Sequence, residues 1–228
     1  MRERLGAIED YRYLLNRGYR RESALRFVGD KYQLGRLERL LLYRCVHSAE
    51  EARARRRKLI PLRGARGQRV AVDGYNALIT VESILEAKPL IACDDGFIRD
   101  LSAVHNRYRP RGVTEEALRN ITVALRGVGV GEVGFFFDGQ ISRSGEVAAL
   151  TERLLAEAEM KGAASAVRQA DKSTVEYADI VVSSDAVVID RARYSVDLAR
   201  EVIRRKKLYG LVLNLRQPEL LQRLAQIR

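Results

Sequence analysis

The chain has 228 residues, of which 46% are hydrophobic, and this proportion excludes a wholly disordered protein. No apolar run approaches the ~18 residues of a membrane span, and the first residues lack the apolar segment of a signal peptide, so we expect a cytoplasmic protein without a membrane partner. Two cysteines are too few for a disulfide framework, and with only two histidines a zinc site or catalysis by a Cys-His or Ser-His-Asp set is not expected.

Positive charge is concentrated at the start of the chain. Residues 1–69 contain 19 Lys plus Arg against 8 Asp plus Glu, a net charge of +11, whereas residues 70–228 contain 22 of each. Such asymmetry is typical of a segment that meets a polyanion. Arginine, which binds phosphate through two parallel hydrogen bonds, supplies 34 of the 41 basic residues. A nucleic acid is therefore the expected partner.

The first predicted elements are three short helices. Apolar residues recur at helical spacing over 8–15, 22–28 and 34–46, and a glycine follows each of the first two runs. Three helices with glycine-containing turns indicate a helix-turn-helix-like module at 1–52. A helical cap that packs on the main domain is an equally good interpretation.

A basic segment at 53–69 follows and is interpreted as a helix end and linker. It contains no acidic residue, so it would also suit contacts with phosphates. The candidate nucleic-acid-binding residues in this segment are Arg55, Arg56, Arg57, Lys58, Arg63 and Arg66.

From residue 70 onward, short apolar strands alternate with helices. Five strands in this alternation predict an α/β domain over 70–228 with a doubly wound, mainly parallel sheet. The expected strands are 69–73, 133–137, 163–167, 180–183 and 208–213, and the main helices between them are 77–87, 115–125, 146–160 and 196–206.

Three of these strands are followed by an aspartate, namely Asp73, Asp138 and Asp185. Because the carboxyl ends of parallel strands meet at one edge of a sheet, we expect the three side chains to share that edge. A single aspartate after a strand is often only a helix cap. Three crowded carboxylates repel one another, however, and a hard divalent cation relieves that repulsion. Oxygen-only ligands favour Mg²⁺ or Mn²⁺ over zinc.

The residues around these aspartates resemble a known family. Val72-Asp73-Gly74-Tyr75-Asn76 resembles the first motif of PIN-like nucleases, particularly their NYN branch. Phe137-Asp138-Gly139 resembles the end of the second strand in that branch, and Val182-Ser183-Ser184-Asp185 resembles its later strand-end motif. The resemblance covers roughly residues 69–215.

The whole chain is also similar to an uncharacterised archaeal family. This similarity depends on Leu15-Asn16-Arg17-Gly18-Tyr19, on Asp73-Gly74-Tyr75-Asn76 and on Ser142-Arg143-Ser144-Gly145. The last segment opens a helix, and helix N-termini bind phosphate, although a simple helix cap is the preferred interpretation of Ser144. Ser142, Arg143 and Ser144, together with the strand-end residues Ser183 and Ser184, are therefore further candidates for nucleic-acid binding.

The PIN-like resemblance implies a metal-dependent ribonuclease in which Asp73, Asp138 and Asp185 ligate Mg²⁺ or Mn²⁺. Asn76 would orient Asp73 or contact the phosphate, or would be only a turn or cap residue. The family usually supplies a fourth acid at a helix start, yet the segment 171–179 leaves little room for a full helix. Glu176 is the preferred fourth acid; the alternatives are Asp171, Asp179, Asp94, Asp95 and Asp190.

The sequence thus predicts a PIN-like, metal-dependent ribonuclease whose basic helical module holds the RNA, with DNA as an alternative substrate. A second hypothesis is a non-catalytic RNA-binding protein with a degenerate site. A third, a small-molecule enzyme on a doubly wound sheet, is disfavoured because cofactor motifs are missing and the charge is polarised. The oligomeric state is left open, with a homodimer as one option.

Overall fold

A computed structural model of the chain describes residues 2–102, 108–215 and 220. The chain divides into two compact units. Unit 1 consists of Met1–Arg57, Pro89–Ala103 and Gly210–Arg228, and unit 2 consists of Lys58–Lys88 and Val104–Tyr209. In the described ranges, every helix is too short or too polar to cross a bilayer.

Unit 1 combines helices with a small sheet. The helices are α1 (Arg2–Asn16), α2 (Arg21–Lys31), α3 (Arg36–Cys45) and α4 (Ala49–Lys58), and the strands are β3 (Leu90–Ala92), β4 (Ile98–Asp100) and β9 (Val212–Asn214). Strand β3 pairs with β4 antiparallel and with β9 parallel. Leu41 and Leu42 of α3 share one hydrophobic core with Ile91 and Leu213. The helices therefore bury their apolar faces partly against strands that lie far away in the sequence.

Unit 2 is an α/β structure with a six-stranded parallel sheet in the order β1-β8-β7-β2-β5-β6. Its strands are β1 (Leu59–Ile60), β2 (Arg69–Asp73), β5 (Glu132–Asp138), β6 (Gly162–Val167), β7 (Ile180–Val182) and β8 (Tyr194–Val196). Its helices are α5 (Gly74–Leu85), α6 (Gly112–Val128), α7 (Ser144–Glu157), α8 (Ala170–Tyr177), α9 (Ala186–Arg191) and α10 (Leu198–Lys206).

Helices cover both faces of this sheet. Successive side chains of a strand point to opposite faces, so neighbouring residues of β5 report on different layers. The ring of Phe137 meets Tyr75 of α5 at 5.3 Å between centroids, whereas the ring of Phe136 meets Tyr177 of α8 at 5.3 Å. Helices α5 and α8 therefore lie on opposite faces, as in a doubly wound sheet.

The strand order reverses beside β2. From β2 the chain proceeds to β5 and β6 on one side, and it then crosses to β7 and β8 on the other. In such sheets the connections diverge at the reversal and leave a crevice beyond the carboxyl ends of the two central strands. Here those strands are β2 and β7, which end at Asp73 and Val182.

Several local predictions from the sequence were wrong. The parallel sheet has six strands instead of five, because β1 and β8 are too short to show a periodic pattern. The strand expected at 208–213 is replaced by a 3-10 helix at Tyr209–Leu211 and the short strand β9, which pairs in unit 1. The segment interpreted as a helix end and linker does contain the end of α4, but strand β1 and a 3-10 helix at Leu62–Ala65 occupy part of the expected linker.

Candidate functional site

The three strand-end aspartates of unit 2 line one cavity. Asp73 is the last residue of β2, Asp138 is the last residue of β5, and Asp185 lies three residues beyond β7. The cavity has a volume of about 460 Å³ and lies where the strand order reverses. Its polar lining side chains are Asp73, Tyr75, Asp138, Arg168, Gln169, Asp171, Lys172, Asp185 and Arg191.

Asp73 is the most buried of these carboxyl groups, with 7% of its surface exposed. The Oγ–H of Ser183 donates a hydrogen bond of 2.8 Å to Asp73 Oδ2. Burial raises the pKa of Asp73 from 3.8 to about 7; the Ser183 hydrogen bond opposes this shift, and the charges of Asp185 and Asp171 add to it. Asp73 is therefore a carboxyl group whose negative charge is disfavoured by its surroundings.

Asn76 ties α5 to the end of β7. The backbone N–H of Ser184 donates to the Asn76 side chain over 2.8 Å, and because an N–H can only donate, the atom that faces it is the amide oxygen. The Ser184 hydroxyl contacts the same oxygen at 3.1 Å. Within the described residues, the buried Nδ2 of Asn76 has no hydrogen-bond partner. Asn76 does not itself line the cavity, but it fixes the segment that carries Ser183, and Ser183 holds Asp73.

Asp185 and Asp138 are each oriented by backbone donors. Asp185 caps α9, because its Oδ1 accepts hydrogen bonds from the N–H groups of Val187 at 2.8 Å and Val188 at 3.4 Å. Asp138 Oδ1 accepts from the N–H of Gln140 at 2.9 Å. The cap interpretation that the sequence offers for a strand-end aspartate therefore applies to Asp185, and it coexists with a place in the cavity lining.

Among the candidates for a fourth acid, the structure brings Asp171 to the cavity. The expectation that residues 171–179 leave little room for a full helix was wrong: α8 spans eight residues, Ala170–Tyr177, and Asp171 lies in its first turn. Glu176 lies outside the cavity lining, one helical turn from its ion-pair partner Lys172 at 3.8 Å. The position of Asp171, an acid at a helix start after a strand, is the signal by which the sequence could have identified it.

The remaining acid candidates lie elsewhere. Asp179 pairs with Arg193 at 3.0 Å, outside the cavity lining. Asp94 and Asp95 belong to unit 1 and pair with Arg12 and Arg99. Asp190 is exposed and is likewise not a lining residue.

Basic side chains that were not predicted from the sequence share the cavity. Arg168 directly follows β6, Lys172 lies in α8 next to Asp171, and Arg191 ends α9; all three are exposed. Tyr75 also lines the cavity, and its buried hydroxyl has no hydrogen-bond partner in the part of the chain that the structure describes. Arg168 follows the same strand-end rule as the aspartates, so the rule could have found it.

The basic segment is only partly exposed. Arg55, predicted to contact phosphate, is 4% exposed and pairs with Asp95 at 3.5 Å, so its role in the structure is to neutralise a buried acid. Arg56 is exposed but donates to the carbonyl of Asp94. Lys58 is half-buried and donates to the carbonyls of Ile189 at 3.0 Å and Asp190 at 2.6 Å. Three predicted cations of this segment are exposed without an ion pair to any described residue: Arg57, Arg63 and Arg66.

The predicted serine-containing sites differ in exposure. Ser142 and Arg143 are exposed at the start of α7, and Arg143 pairs with Glu146 at 2.6 Å. Ser144 is 5% exposed and is the first residue of α7, so it is not available to a phosphate at this surface. Ser183 and Ser184 are also buried, and their hydroxyls contact Asp73 and Asn76.

The donor set can be compared with what a divalent cation requires. Four carboxylates and no imidazole or thiolate line the cavity, which is the chemistry that Mg²⁺ and Mn²⁺ prefer. Within the described residues, however, no three acid, histidine or cysteine side chains are grouped closely enough to hold a metal ion. Mg²⁺ usually keeps several waters and takes only one or two carboxylates from the protein. The residues therefore fit an open, water-rich site and do not fit a closed one.

Comparisons with known proteins identify relatives but no activity. A model of a domain of unknown function, DUF5616, matches residues 62–201, and a model of a protein of unknown function, DUF434, matches residues 5–58. An uncharacterised protein of Methanocaldococcus jannaschii is 31% identical over 199 residues, which cover 86% of this chain and 95% of that protein. No solved structure matches the chain at a significant level.

Proposed function

The chain belongs to the DUF5616 family, and we propose that it is a Mg²⁺- or Mn²⁺-dependent ribonuclease of PIN-like architecture that hydrolyses phosphodiester bonds in the cavity of unit 2. The observation that carries this proposal is the convergence of Asp73, Asp138, Asp171 and Asp185 on one cavity at the reversal of the strand order. Ligand sites of open parallel sheets lie at such reversals.

The electrostatics of the cavity support the proposal. Asp73 is buried, and the charges of Asp185 and Asp171 add to the effect of burial in raising its pKa to about 7. A nearby divalent cation reverses this situation, because an opposite charge favours the ionised carboxylate. Asp73 with Asp185 or Asp171 would hold the ion, and Asp138 would complete or flank the site. When bound, a divalent ion activates water and stabilises charge on the phosphate.

The chain's own residues position these groups and the substrate. Ser183 donates to Asp73 Oδ2, and backbone donors hold one oxygen of Asp185. Arg168, Lys172 and Arg191 supply positive charge at the cavity rim, where they would attract a phosphate. The buried hydroxyl of Tyr75 is a donor for a phosphate oxygen. RNA is proposed over DNA on the PIN-like resemblance alone.

A specific observation favours a second candidate, an RNA-binding protein that does not cut. No three metal-binding side chains are grouped closely enough for a metal ion in the described chain. A site without a complete set of metal ligands would keep Arg168, Lys172 and Arg191, and it would bind RNA without hydrolysing it. The two candidates differ in metal-dependent cleavage and agree in RNA binding.

The test is a cleavage assay on a pool of structured and single-stranded RNA with Mn²⁺, Mg²⁺ or EDTA. Asp73→Asn and Asp185→Asn should each reduce metal-dependent cleavage by about 10²-fold or more, as removal of one preorganised electrostatic group does in active sites. Asp171→Asn and Glu176→Gln form a matched pair on α8: the first should reduce cleavage, and the second should not, because Glu176 lies outside the cavity.

Asp179→Asn is the control for loss of an acid elsewhere in unit 2, since Asp179 is exposed and pairs with Arg193 outside the cavity. Absence of cleavage under every metal condition, with RNA binding retained, would reject the nuclease in favour of the second candidate. Absence of both would reject a nucleic-acid function.

A further inference from the structure

Three tyrosine rings of unit 1 are exposed around one turn and its neighbouring helix. Tyr13 in α1, Tyr19 between α1 and α2, and Tyr43 in α3 are 57%, 52% and 42% exposed. Tyr11, two residues before Tyr13, is fully buried in the core of unit 1, so the hydrophobic core of this unit does not depend on the exposed rings. Exposed aromatic side chains of this kind are typical of binding surfaces.

Arginines contact two of these tyrosines, Tyr13 and Tyr43. Arg17 Nε donates to the hydroxyl of Tyr13 at 3.2 Å, and its guanidinium carbon lies 5.3 Å from the centre of that ring. Tyr19 follows two residues later, and its N–H donates to the carbonyl of Leu14 at 3.1 Å, which anchors the turn to α1. Arg21 begins α2, and its guanidinium carbon lies 5.8 Å from the ring centre of Tyr43. Tyr13, Arg17, Tyr19, Arg20 and Tyr43 are hereafter the tyrosine–arginine surface.

The charge of this surface is positive. Residues 11–21 contain four arginines and no acid. Arg12 is neutralised by Asp94 at 3.0 Å, and Arg21 by Glu51 at 3.0 Å. Arg17 and Arg20 are exposed and form no ion pair with any residue that the structure describes. Two guanidinium groups without an ion pair to a described residue therefore flank Tyr19 in the sequence, and that of Arg17 lies against the Tyr13 ring.

We propose that the tyrosine–arginine surface binds single-stranded RNA by stacking unpaired bases on Tyr13, Tyr19 and Tyr43, while Arg17 and Arg20 contact the intervening phosphates. A single strand presents planar bases and negative phosphates in alternation, which is the complement of rings interleaved with cations. A duplex keeps its bases stacked on each other and offers this surface only phosphates. The choice of RNA rests on the proposed function, and it narrows the substrate to unpaired strands.

The test is a titration of the full chain, in EDTA to prevent cleavage, with a fluorescein-labelled oligouridylate of about 12 nucleotides. Tyr13→Ala, Tyr19→Ala and Tyr43→Ala should each weaken binding about fivefold or more, the loss typical of one stacked base. Tyr13→Phe keeps the ring and should bind as the wild type does. Arg17→Gln should weaken binding and reduce the slope of log affinity against log salt by about 0.7.

Phe27→Ala is the matched control. Phe27 is an exposed aromatic residue of unit 1 at 59%, but it lies six residues after Arg21 in α2 and hence about 120° away around the helix. Its removal should leave affinity unchanged. If the wild type fails to bind the oligonucleotide, if the three alanine variants bind as tightly as the wild type, or if Phe27→Ala weakens binding equally, the inference is wrong and a protein becomes the better partner for this surface.

The proposed nuclease and this inference can fail separately. Tyrosine-dependent binding without metal-dependent cleavage would reject the nuclease and support the inference. Metal-dependent cleavage with binding that is indifferent to the tyrosines would do the reverse.

Discussion

Replacement of Asp73 by asparagine should stabilise unit 2 at neutral and alkaline pH. The pKa of Asp73 is raised from 3.8 to about 7, first because the carboxyl group is buried. At 1.36 kcal/mol per pKa unit, ionisation of Asp73 lowers the free energy of unfolding by about 4 kcal/mol. The stabilising contribution of the neutral form is complete below pH 3.8 and is lost as the pH rises through about 7.

Asparagine does not ionise, so the variant should not suffer this loss. Its side-chain oxygen can still accept the Ser183 hydrogen bond, while its added N–H₂ group needs a partner in a buried position and offsets part of the gain. We expect the unfolding free energy of Asp73→Asn, relative to the wild type, to rise by about 2 to 4 kcal/mol between about pH 4 and pH 8. Urea unfolding in EDTA, followed by circular dichroism, measures this difference.

Asp179→Asn is the control, because its side chain is 70% exposed and its ion pair with Arg193 is worth only about 0 to 1 kcal/mol. A difference between Asp73→Asn and the wild type that stays constant with pH would refute the reasoning, since it would mean that Asp73 ionises normally in the fold. Mg²⁺ added at about pH 8 should stabilise the wild type and leave Asp73→Asn unchanged if the carboxylate is a ligand.

Two further substitutions, one in each unit, test a buried ion pair and a close backbone contact. Asp95→Asn should lower the unfolding free energy of unit 1 by about 3 kcal/mol. Asp95 accepts hydrogen bonds of 2.8 and 2.7 Å from the guanidinium of Arg99, and this buried cation would lose its paired charge. An unchanged melting temperature would contradict this prediction. Gly74→Ala should lower the unfolding free energy of unit 2 by about 1 to 3 kcal/mol, because its Cβ would lie 2.5 Å from the Phe137 ring and 2.8 Å from the Phe136 carbonyl. The neighbouring Asp73 would be displaced, so cleavage should fall as well. Unfolding and cleavage assays of the wild type and the variant measure both effects.

The position of the candidate site could be predicted because parallel topology is a strong constraint. Once β2, β5 and β7 are recognised as apolar runs, the residues after them must share an edge, which selects Asp73, Asp138 and Asp185. Asp171 and Arg168 obey the same rule after β6. Asp171 was only one of several alternatives for the fourth acid, and Arg168 was not selected, because β6 is an edge strand of small, mostly exposed residues and α8 after it is only eight residues long.

The division into units could not be predicted from chain order. Strands β3 and β4 lie between α5 and α6 in the sequence, and β9 follows α10, yet β3 pairs with both β4 and β9 in unit 1. Each has three residues, which is too short for a periodic signal. Their pairing is decided by burial of Ile91 and Leu213 in the core of the N-terminal helices, and a local pattern holds no information about so distant a contact.

The same long-range contacts change the meaning of the charge asymmetry. Residues 1–69 hold the whole net charge of +11, but by compact unit the excess is +7 in unit 1, from 19 basic and 12 acidic residues, and +4 in unit 2, from 22 and 18. Lys58, Arg63, Arg66 and Arg69 belong to unit 2, whereas Asp94, Asp95 and Asp100 of the segment Pro89–Ala103 belong to unit 1. These three acids pair with arginines of the N-terminal region.

A count of basic residues therefore overstates the phosphate-binding surface of unit 1, and pairing decides which arginines contribute to it. Arg12, Arg21 and Arg55 are held by acids, so they stabilise the unit. Arg17 and Arg20 are exposed, without an ion pair to a described residue, beside exposed tyrosine rings. Neutralisation of Arg55 should therefore lower the unfolding free energy of unit 1 and leave RNA affinity nearly unchanged. Neutralisation of Arg17 should lower RNA affinity and leave the unfolding free energy nearly unchanged.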